Sequence, residues 1–325
     1  MIKLAIVGYG NLGKGVEAAV LQNPDMELTA VFTRRDPETV HLQTTGIPVL
    51  PVAQLDAMAK DLDVLILCGG SATDLPEMTP AMAAKCNVVD SFDNHSRIPE
   101  HIARVQEAAK EAGTVAIVSC GWDPGMFSLA RIYAQAALPQ GESYTFWGPG
   151  LSQGHSDAIR RIEGVVDARQ YTVPVEDALQ QVRSGSNPAL TVRQKHTRHC
   201  YVVAQEDADR ERITQQICTM PGYFADYDTT VQFITKKELE ANHSAMPHGG
   251  FVIRSGATSD GSRHTIEYSL KLESNPKFTA SILVACARAA VRMQARGECG
   301  CATMPEIRPC DLLMDSIEDI RAHLI

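Results

Sequence analysis

The sequence predicts an α/β fold, in which a Rossmann-type, doubly wound parallel sheet is followed by an α+β domain with a mixed or antiparallel sheet. The chain opens with an apolar run over Ile2–Val7, the pattern Gly-x-Gly-x-x-Gly and a helical pattern over Leu12–Leu21, an order typical of dinucleotide-binding folds. Further apolar runs alternate with helical patterns, which indicates parallel strands joined by helices. Beyond Gly121 the runs alternate between apolar and polar residues, as in a sheet with one face in solvent.

Short apolar runs, separated in most cases by helical patterns, predict the strands of the first domain. They are Ile2–Val7, Leu28–Phe32, Val49–Val52, Val64–Leu67, Asn87–Val89 and Val115–Val118. Among the helical patterns, Pro99–Ala112 carries apolar residues at helical spacing. About six such strands complete a dinucleotide-binding sheet.

The second domain is predicted to begin at Pro124, which with Gly125 precedes a helix over Met126–Ala137. Its candidate strands are Ser143–Trp147, Ala168–Val173, His199–Ala204, Thr229–Ile234, Phe251–Ser255 and His264–Leu272, and a helix over Asp207–Met220 lies among them. An apolar helix over Phe278–Met293 is expected to pack back onto the first domain. We therefore expect a dinucleotide-binding domain over 1–123, joined by about 276–325, and a substrate-binding and dimerisation domain over 124–275.

Each glycine of the first turn has a separate mechanical role. Gly8 permits the sharp turn out of the strand, Gly10 lets a pyrophosphate approach the backbone, and Gly13 lets the helix pack closely on the strand. The helix N-terminus adds N–H groups and the positive end of its dipole. We therefore assign the cofactor phosphates to this loop, namely Gly8, Tyr9, Gly10, Asn11, Leu12 and Gly13. The alternative is a glycine-rich turn that binds nothing.

The residues after the second strand indicate NADP(H) as the cofactor. An NAD site places Asp or Glu about 20 residues past the glycines, on the ribose 2′-hydroxyl. Here Thr33, Arg34 and Arg35 occupy that region, and arginine binds a 2′-phosphate through its planar fork. The alternative for the two arginines is a solvated loop, and Asp36, which follows directly, keeps NAD open.

The ends of later strands carry further candidate cofactor contacts. Small residues close the fourth strand, where a cofactor backbone can pass, and polar residues close the fifth. Ligands of such sheets bind at the carboxyl ends of the strands. The predicted contacts therefore extend to Cys68, Gly69, Gly70, Ser71 and Thr73, to Ser91, Phe92 and Asp93, and to Pro124, Gly125 and Met126. Polar loops without a ligand are the alternative.

Composition and charge exclude several classes of protein. The chain has 325 residues with a net charge of −9, which argues against nucleic acid as a partner. Its 44% hydrophobic and 21% charged content is ordinary for a soluble globular protein. No apolar run approaches the roughly 20 residues of a membrane span. Because Met1-Ile2-Lys3 leads straight into a strand, we expect no signal peptide and a cytoplasmic protein.

The nine cysteines are an odd number, and without an export signal we expect free thiols. Cys299, Cys301 and Cys310 form an incomplete ligand set whose spacing matches no common zinc site. His196 and His199 would face opposite sides of a strand, which disfavours a shared metal. We therefore predict no metal.

Five segments resemble those of the meso-diaminopimelate D-dehydrogenase family. They are Gly-Tyr-Gly-Asn-Leu-Gly, Ser-Phe-Asp-Asn-His, Gly-Trp-Asp-Pro-Gly-Met-Phe, Thr-Phe-Trp-Gly-Pro-Gly-Leu-Ser-Gln-Gly-His-Ser-Asp and Met-Pro-His-Gly-Gly. The resemblance runs from end to end, and the segment Thr145–Asp157 is far more specific than the glycine loop. It implies a homodimer and an NADP-dependent oxidative deamination of meso-2,6-diaminopimelate at its D centre. The products would be L-2-amino-6-oxopimelate, ammonia and NADPH, and the reverse reaction would make a lysine and cell-wall precursor.

The implied substrate carries an ammonium and a carboxylate at each end, so its site needs carboxylates for the amines and cationic or amide donors for the carboxylates. Asp93 and Asp123 follow adjacent predicted strands, and the resemblance assigns them to the reacting amine. Hydride loss from Cα leaves an iminium cation, which negative charge stabilises. One aspartate could also accept a proton from the amine or the attacking water. Helix or turn capping is the alternative for each, above all for Asp123 before Pro124.

The remaining substrate contacts lie in the second half of the chain. Trp147 is expected to wall the pocket, and Gln153 and Gly154 to offer amide contacts. The resemblance assigns Arg198, within a basic stretch, to the distal carboxylate. It also surrounds the distal L centre with three residues, Thr172, His248 and Asn275. The alternative for Arg198 is a solvated strand face, and for His248 an ordinary loop histidine.

Two other functions stay open on the sequence alone. One is a non-catalytic NADP-binding sensor on the same scaffold, and the other is a related NADP-dependent reductase of the dihydrodipicolinate or homoserine type. Asp93, Asp123 and Arg198 together argue against a sensor, which needs no polar pocket facing nicotinamide. The segment Thr145–Asp157 argues against the reductases, which would lack it.

Overall fold

The computed structural model describes residues 1–259 and 261–325. These residues form two compact units, the first made of Met1–Leu129 and Pro276–Ile325 and the second of Ala130–Asn275. The division between the units falls after Leu129, within a helix that begins at Met126.

Within the described residues there are fourteen strands and twelve α-helices, numbered in chain order. The strands are β1 (Ile2–Val7), β2 (Met26–Thr33), β3 (Val49–Pro51), β4 (Val64–Leu67), β5 (Asn87–Asp90), β6 (Val115–Ile117), β7 (Gln140–Trp147), β8 (Gly150–Leu151), β9 (Val165–Pro174), β10 (His196–Ala204), β11 (Asp228–Phe233), β12 (His248–Ser259), β13 (Ser262–Leu272) and β14 (Gly300–Ala302). The helices are α1 (Asn11–Val20), α2 (Leu55–Met58), α3 (Leu75–Ala83), α4 (Ile98–Ala112), α5 (Met126–Ala137), α6 (Gln153–Arg160), α7 (Glu176–Arg183), α8 (Val192–Lys195), α9 (Arg210–Cys218), α10 (Lys236–Asn242), α11 (Asn275–Ala295) and α12 (Ile317–His323).

The first unit contains a parallel sheet in the order β14-β6-β5-β4-β1-β2-β3, which confirms the doubly wound fold. The order reverses beside β1, and ligands of such sheets bind at the carboxyl ends of the strands near this reversal. The sheet has seven strands where the sequence predicted about six. The additional strand, β14, comes from the cysteine-rich tail and pairs with β6 through Gly300 and Val115.

Both faces of this sheet are buried, which explains the continuous apolar runs in its strands. On one face, Leu4 and Ile6 of β1 share a core with helices α1 and α11. On the other face, Ala5 and Val7 share a core with α3 and α4. The apolar helix α11 therefore packs within the first unit, and a buried Arg288 on it pairs with Asp25.

The second unit contains two sheets, where the sequence predicted one mixed or antiparallel sheet. The four-stranded sheet has the order β11-β10-β9-β8 and is mixed, because β10 pairs with β11 in parallel and with β9 antiparallel. The three-stranded sheet, β13-β12-β7, is antiparallel. A core around Phe146 and Ile253 covers one face of the three-stranded sheet, with Leu179 and Val182 of α7 packed against it.

Three further findings bear on function. Among the residues that the structure describes, no helix combines the length and apolar character needed to cross a bilayer. All nine cysteines are free thiols. Within 1–259 and 261–325, no three His, Cys, Asp or Glu side chains are grouped so that they could hold a metal ion.

Candidate active site

The three glycines of the loop after β1 differ in what surrounds them. Gly8 has φ +98°, which L side chains rarely adopt, and a Cβ on Gly13 would lie 2.4 Å from the carbonyl oxygen of Gly8. A Cβ on Gly10, in contrast, would meet no atom within 4 Å. Packing therefore explains Gly8 and Gly13 but not Gly10. The space beside Gly10, at the N-terminus of α1, is open to a phosphate group.

A cavity extends from this loop to the ends of β2 and β4. The predicted cofactor residues in its wall are Gly8, Tyr9, Gly10, Thr33, Arg34, Arg35, Cys68 and Gly69. The other residues of the wall were not predicted, namely Val7, Val52, Asp74 and Met78. The remaining predicted cofactor residues lie outside this wall, namely Asn11, Leu12, Gly13, Gly70, Ser71, Thr73, Ser91, Phe92, Asp93, Pro124, Gly125 and Met126. The Phe92 side chain is 1% exposed.

Two arginines with different partners stand at the cavity edge. The Arg34 side chain is 67% exposed, and its Nη2 lies 2.9 Å from Oδ2 of Asp74. Arg35 donates from Nη2 to the carbonyl of Tyr9, and its backbone N–H donates to Thr33 Oγ1 at 3.1 Å. The glycine loop and the arginine loop are thus joined directly. A 2′-phosphate fits this edge because two guanidiniums already face the same cavity.

Two acidic residues near the arginines have different partners. Because of Asp36, the sequence left NAD open as an alternative cofactor. In the structure Asp36 caps a short 3₁₀ turn, where its side chain accepts a hydrogen bond from the backbone N–H of Glu38 at 3.1 Å. Asp74 accepts from Gly70 N–H at 2.8 Å and pairs with Arg34. No sequence pattern singles out Asp74, because its proximity to Arg34 arises from the neighbouring ends of separate strands.

Asp93 and Asp123 follow β5 and β6, which are neighbours in the sheet. Asp93 is exposed, and its backbone N–H donates to Ser71 Oγ at 3.0 Å. Asp123 is half-buried and lies before the first residue of α5, Met126. Two acidic side chains thus lie in adjacent loops at the carboxyl edge of the sheet.

Arg198, on β10 of the second unit, lies among polar and aromatic side chains, including Thr172 and Tyr227. Burial alternates along β10, so that Arg198 shares the buried face with His196 and Cys200. Its side chain is therefore buried, with 6% of the residue exposed, and does not lie on the solvated strand face left open by the sequence. Arg198 donates from Nη1 to Oγ1 of Thr172, its direct neighbour on β9, and its guanidinium stacks 3.9 Å from the centre of the Tyr227 ring.

The charge of Arg198 has no carboxylate partner. Among the described residues, no Asp or Glu lies within ion-pairing distance of Arg198, and its buried Nε has no hydrogen-bond partner. A buried cation without a counter-charge is unfavourable. Burial accordingly lowers the pKa of Arg198 from its usual value. The arrangement fits an anion as the missing partner.

His248 lies beside the same cluster because a glycine leaves room for it. A Cβ on Gly150 would lie 2.5 Å from Cγ of His248, so only glycine fits there. Gly150 pairs with Thr172, and Thr172 pairs with Arg198, which forms a row across three strands. His248 is half-buried and accepts from Gly249 N–H through Nδ1 at 2.8 Å.

Three histidines near Arg198 favour the neutral form. Burial first, and the charge of Arg198 second, lower the pKa of His155 and of His196 to about 3. Burial also lowers the pKa of His248 to about 4, with a further decrease caused by Arg198. At neutral pH the guanidinium is therefore the cation of this group, and the imidazoles are polar and uncharged.

Trp147 is held by one of these histidines. Its backbone N–H donates to Nε2 of His196 at 2.9 Å, and the two rings stack with centres 5.3 Å apart. His155 is fixed by Ser152, whose Oγ lies 2.7 Å from Nδ1. The sequence left His155 unassigned and did not select His196 or Tyr227. His196 could have been predicted from the sequence, because it lies two residues before Arg198 and therefore on the same face of the strand. Tyr227 could not, because it is distant in sequence.

The other predicted substrate residues lie near Met246. Gln153 is exposed in the first turn of α6, and its Nε2 lies 3.1 Å from the sulfur of Met246. Asn275 is half-buried at the start of α11, and its N–H donates to the carbonyl of Met246 at 3.0 Å. Gly154 is exposed, and a Cβ at this position would meet no atom within 4 Å. Gln153 and Asn275 are thus linked through Met246, which the sequence did not select.

Comparison with known proteins places these residues in a family context. Residues 121–274 match the family described as diaminopimelic acid dehydrogenase C-terminal domain. A meso-diaminopimelate D-dehydrogenase of Ureibacillus thermosphaericus is 56% identical over 325 residues, covering 100% of this chain and 99% of that protein. A Corynebacterium glutamicum DAP dehydrogenase solved in complex with DAP is 51% identical, with a TM-score of 0.94 and coverage of 100% and 99%. An engineered D-amino acid dehydrogenase bound to NADP⁺ is 49% identical, with a TM-score of 0.89 and the same coverage.

Proposed function

This chain belongs to the meso-diaminopimelate D-dehydrogenase family, and we propose that it carries out the reversible, NADP-dependent oxidative deamination of meso-2,6-diaminopimelate at the D centre. The products are L-2-amino-6-oxopimelate, ammonia and NADPH. The reaction belongs to lysine and diaminopimelate biosynthesis. The chain is therefore an amino-acid dehydrogenase, and its relatives span its whole length.

The buried guanidinium of Arg198 carries this proposal. Among the residues that the structure describes it has no carboxylate partner, and a substrate with a second carboxylate would supply one. A guanidinium binds a carboxylate through paired, charge-assisted hydrogen bonds. We propose Arg198 and Thr172 as ligands of the distal carboxylate, with His248 and Asn275 around the distal L centre. Because the three nearby histidines favour the neutral form, His248 would act as a polar contact without a second positive charge.

Asp93 and Asp123 are proposed to bind the ammonium of the D centre. NADP, when bound, supplies the hydride acceptor. As the hydride leaves Cα, positive charge develops on the nitrogen, and a nearby carboxylate stabilises it more than it stabilises the ground state. One of the two aspartates would also accept a proton from the amine or from the water that attacks the iminium carbon. Their places on adjacent loops at the carboxyl edge of the sheet support this role.

The cofactor assignment is supported by the cavity at the glycine loop. We propose that Arg34 and Arg35 hold the 2′-phosphate of NADP, together with Thr33, and that the pyrophosphate lies beside Gly10. We propose that the loops after β4 and β5 and the segment leading into α5 also contact the cofactor. Trp147, Gln153 and Gly154 are proposed as further substrate contacts in the second unit.

We further propose that the protein is a cytoplasmic homodimer. The dimer is formed through residues of 124–275. Ile132 and Tyr133, adjacent on α5, are 46% and 59% exposed, which supports an apolar interface in this region. A cytoplasmic location, with no nucleic acid or membrane as a partner, is consistent with the net charge of −9 and the free thiols.

The test is NADPH formation by the purified protein. With NADP and meso-diaminopimelate, absorbance at the reduced-nicotinamide band should rise, and ammonia should form in equal amount. The L,L isomer has no D centre and should give no NADPH, which makes it the matched control. Absence of NADPH formation with the meso isomer would contradict the proposed reaction.

A further inference from the structure

Asp90, the last residue of β5, is a fully buried carboxylate that has no role in the function described so far. Its exposed fraction is 0%. Oδ1 accepts from the backbone N–H of Phe92 at 3.0 Å and of Ser119 at 2.8 Å. Oδ2 accepts from Oγ1 of Thr79 at 2.7 Å and lies 2.7 Å from Nε2 of His101. Four groups thus converge on one carboxylate.

The two backbone groups belong to the two loops that carry the candidate aspartates. Phe92 immediately precedes Asp93, and Ser119 lies in the segment between β6 and Asp123. The backbone carbonyl of Asp90 also accepts from Cys120 N–H at 2.9 Å. Ser119 has φ +58°, a conformation that L residues seldom adopt, so the hydrogen bond to Asp90 helps to hold the loop in an unusual shape. One side chain therefore fixes the first residues of both loops.

The carboxylate itself is fixed from the side of the helices. Thr79 lies on α3 and His101 on α4, and His101 is 3% exposed. The ring of His101 stacks on Phe92, with centres 4.2 Å apart and an angle of 18° between the planes. The loop that leads to Asp93 is therefore held twice, by a hydrogen bond to Asp90 and by a ring contact to the histidine that holds Asp90.

The opposite end of the same strand provides a comparison. Asn87, 3% exposed, accepts from Val115 N–H of β6 at 2.8 Å through its Oδ1. It also donates to the carbonyl of Asp63 at 2.8 Å and to Gln294 at 2.7 Å. An amide thus ties β5 to β6 at the amino end of the strands, where no candidate site residue lies. At the carboxyl end, only a carboxylate offers two oxygens that can both accept.

We propose that Asp90 is a positioning residue that sets the loops of Asp93 and Asp123 relative to each other. This rests on the proposed function, in which both aspartates act on the reacting amine. The carboxylate holds the roots of both loops through Phe92 and Ser119. Displacing reacting groups by about 1 Å can slow a reaction about 100-fold, so a buried residue at this point can control the rate without touching the substrate.

The test compares Asp90→Ala with Asn87→Ala, because each removes a buried acceptor that joins β5 to β6. Both should lower the melting temperature. Only Asp90→Ala should lower kcat, by about 100-fold, with a smaller change in the substrate KM. Asn87→Ala should keep kcat within about twofold, since it lies at the other edge of the sheet. Equal kcat values in the two variants, whether both are unchanged or both are reduced, would overturn the proposal.

A double-mutant cycle distinguishes an effect of Asp90 on the candidate aspartates from a general loss of structural stability. Asp90→Ala, which removes both acceptor oxygens, is combined with Asp123→Asn and, separately, with Asp93→Asn. If Asp90 acts through an aspartate, the losses in kcat in at least one cycle should be far from multiplicative. Fully multiplicative losses in both cycles would contradict the proposal. If Asp93→Asn and Asp123→Asn alone keep full activity while the wild type still oxidises meso-diaminopimelate, the proposal fails but the reaction stands.

A milder variant covers the case in which the Asp90 variants do not fold. His101→Phe keeps a ring to stack on Phe92 and removes only the hydrogen bond to Asp90. Its kcat should fall about tenfold, less than in Asp90→Ala, because Thr79, Phe92 and Ser119 still hold the carboxylate. Its affinity for NADPH, measured by fluorescence titration, should stay the same. A folded His101→Phe protein with unchanged kcat would overturn the proposal.

Discussion

Two of the three buried arginines among the described residues, one taken from each unit, show how a structural charge differs from a functional one. Arg288 is 2% exposed and donates to Asp25 at 2.6 and 2.8 Å, to Asn23 at 2.7 Å and to the carbonyl of Leu312 at 2.7 Å. Hydrogen bonding from Arg288 lowers the pKa of Asp25. Arg198, 6% exposed, has Thr172 and Tyr227 as partners but no carboxylate among the described residues. A complete partner set indicates a role in folding, and an incomplete one indicates a ligand.

The largest expected effect follows from removing each guanidinium in turn. Arg198→Met should lower kcat/KM for meso-diaminopimelate about 1,000-fold, because truncating one side of a buried charge pair costs about 2–5 kcal/mol of binding. The melting temperature of this variant should stay equal or rise, since an unpaired buried charge has been replaced by an apolar side chain. Steady-state kinetics and calorimetry measure the two quantities.

Arg288→Met is the matched control and should behave in the opposite way. Its unfolding free energy should fall by about 2 kcal/mol, less than for a fully buried pair because Asp25 is 33% exposed. The kcat/KM of the folded protein should not change. If Arg198→Met instead lost stability and kept its activity, the distinction between the two arginines would be wrong.

The next effect separates the aspartates of the first unit from the arginine of the second. Asp93→Asn and Asp123→Asn keep shape and remove charge, and at least one should lose about 100-fold in kcat and in kcat/KM together. Arg198→Met should act mainly on KM. A primary isotope effect with substrate deuterated at the D centre should appear in the slow variant. Full rate and affinity in both Asn variants would place the reacting amine elsewhere.

A smaller effect concerns the partly exposed arginines of the cofactor cavity. Replacing Arg34 and Arg35 with glutamine should raise KM for NADP about tenfold, through the loss of charge-assisted hydrogen bonds to the 2′-phosphate. KM for NAD should change little. Asp74→Asn is the control of opposite sign, because removing the carboxylate beside Arg34 should lower KM for NADP. An equal increase in KM for both cofactors would exclude a 2′-phosphate contact.

The smallest effect is a pH dependence of stability from His196. Its pKa falls from 6.5 in the unfolded chain to about 3 in the folded protein. The unfolded state therefore takes up the proton first as pH decreases. The contribution of the neutral His196 to the free energy of unfolding is complete above pH 6.5 and is lost as pH falls from there toward 3. At pH 5.5 the loss is about 1.4 kcal/mol. His196→Gln should reduce the loss of unfolding free energy between pH 7.5 and 5.5 by about 1.4 kcal/mol, while His155 and His248, whose pKa values are also lowered, keep the rest of the slope. An unchanged slope would contradict the shift.

The sequence predicted the first unit better than the second because of how each is encoded. A parallel sheet buried on both faces leaves continuous apolar runs, and β1 and β4 were predicted to the residue. The strand β14 was missed because three residues in a cysteine-rich tail carry no periodicity. In the second unit, short helices such as α7 and α10 were missed for lack of length.

The candidate site divides in the same way. The glycine loop follows from local spacing, and its geometry agrees with the separate role given to each glycine. Whether Arg198 was buried depended on which face of β10 it occupied, and that is set by packing. Tyr227 and Asp74 meet their arginines only through the fold, so no local pattern identifies them. Residues recognised by spacing were accessible from the sequence, and residues recognised by long-range contact were not.

The most direct test of the account compares two substrates in two proteins. D-Lysine has the D centre of meso-diaminopimelate but lacks the distal carboxylate. The wild type should prefer meso-diaminopimelate over D-lysine in kcat/KM by about 1,000-fold or more, because a buried group left unpaired penalises the wrong substrate. In Arg198→Met this ratio should collapse to within about tenfold, with most of the change coming from meso-diaminopimelate. An unchanged ratio in Arg198→Met would show that Arg198 does not bind the distal carboxylate.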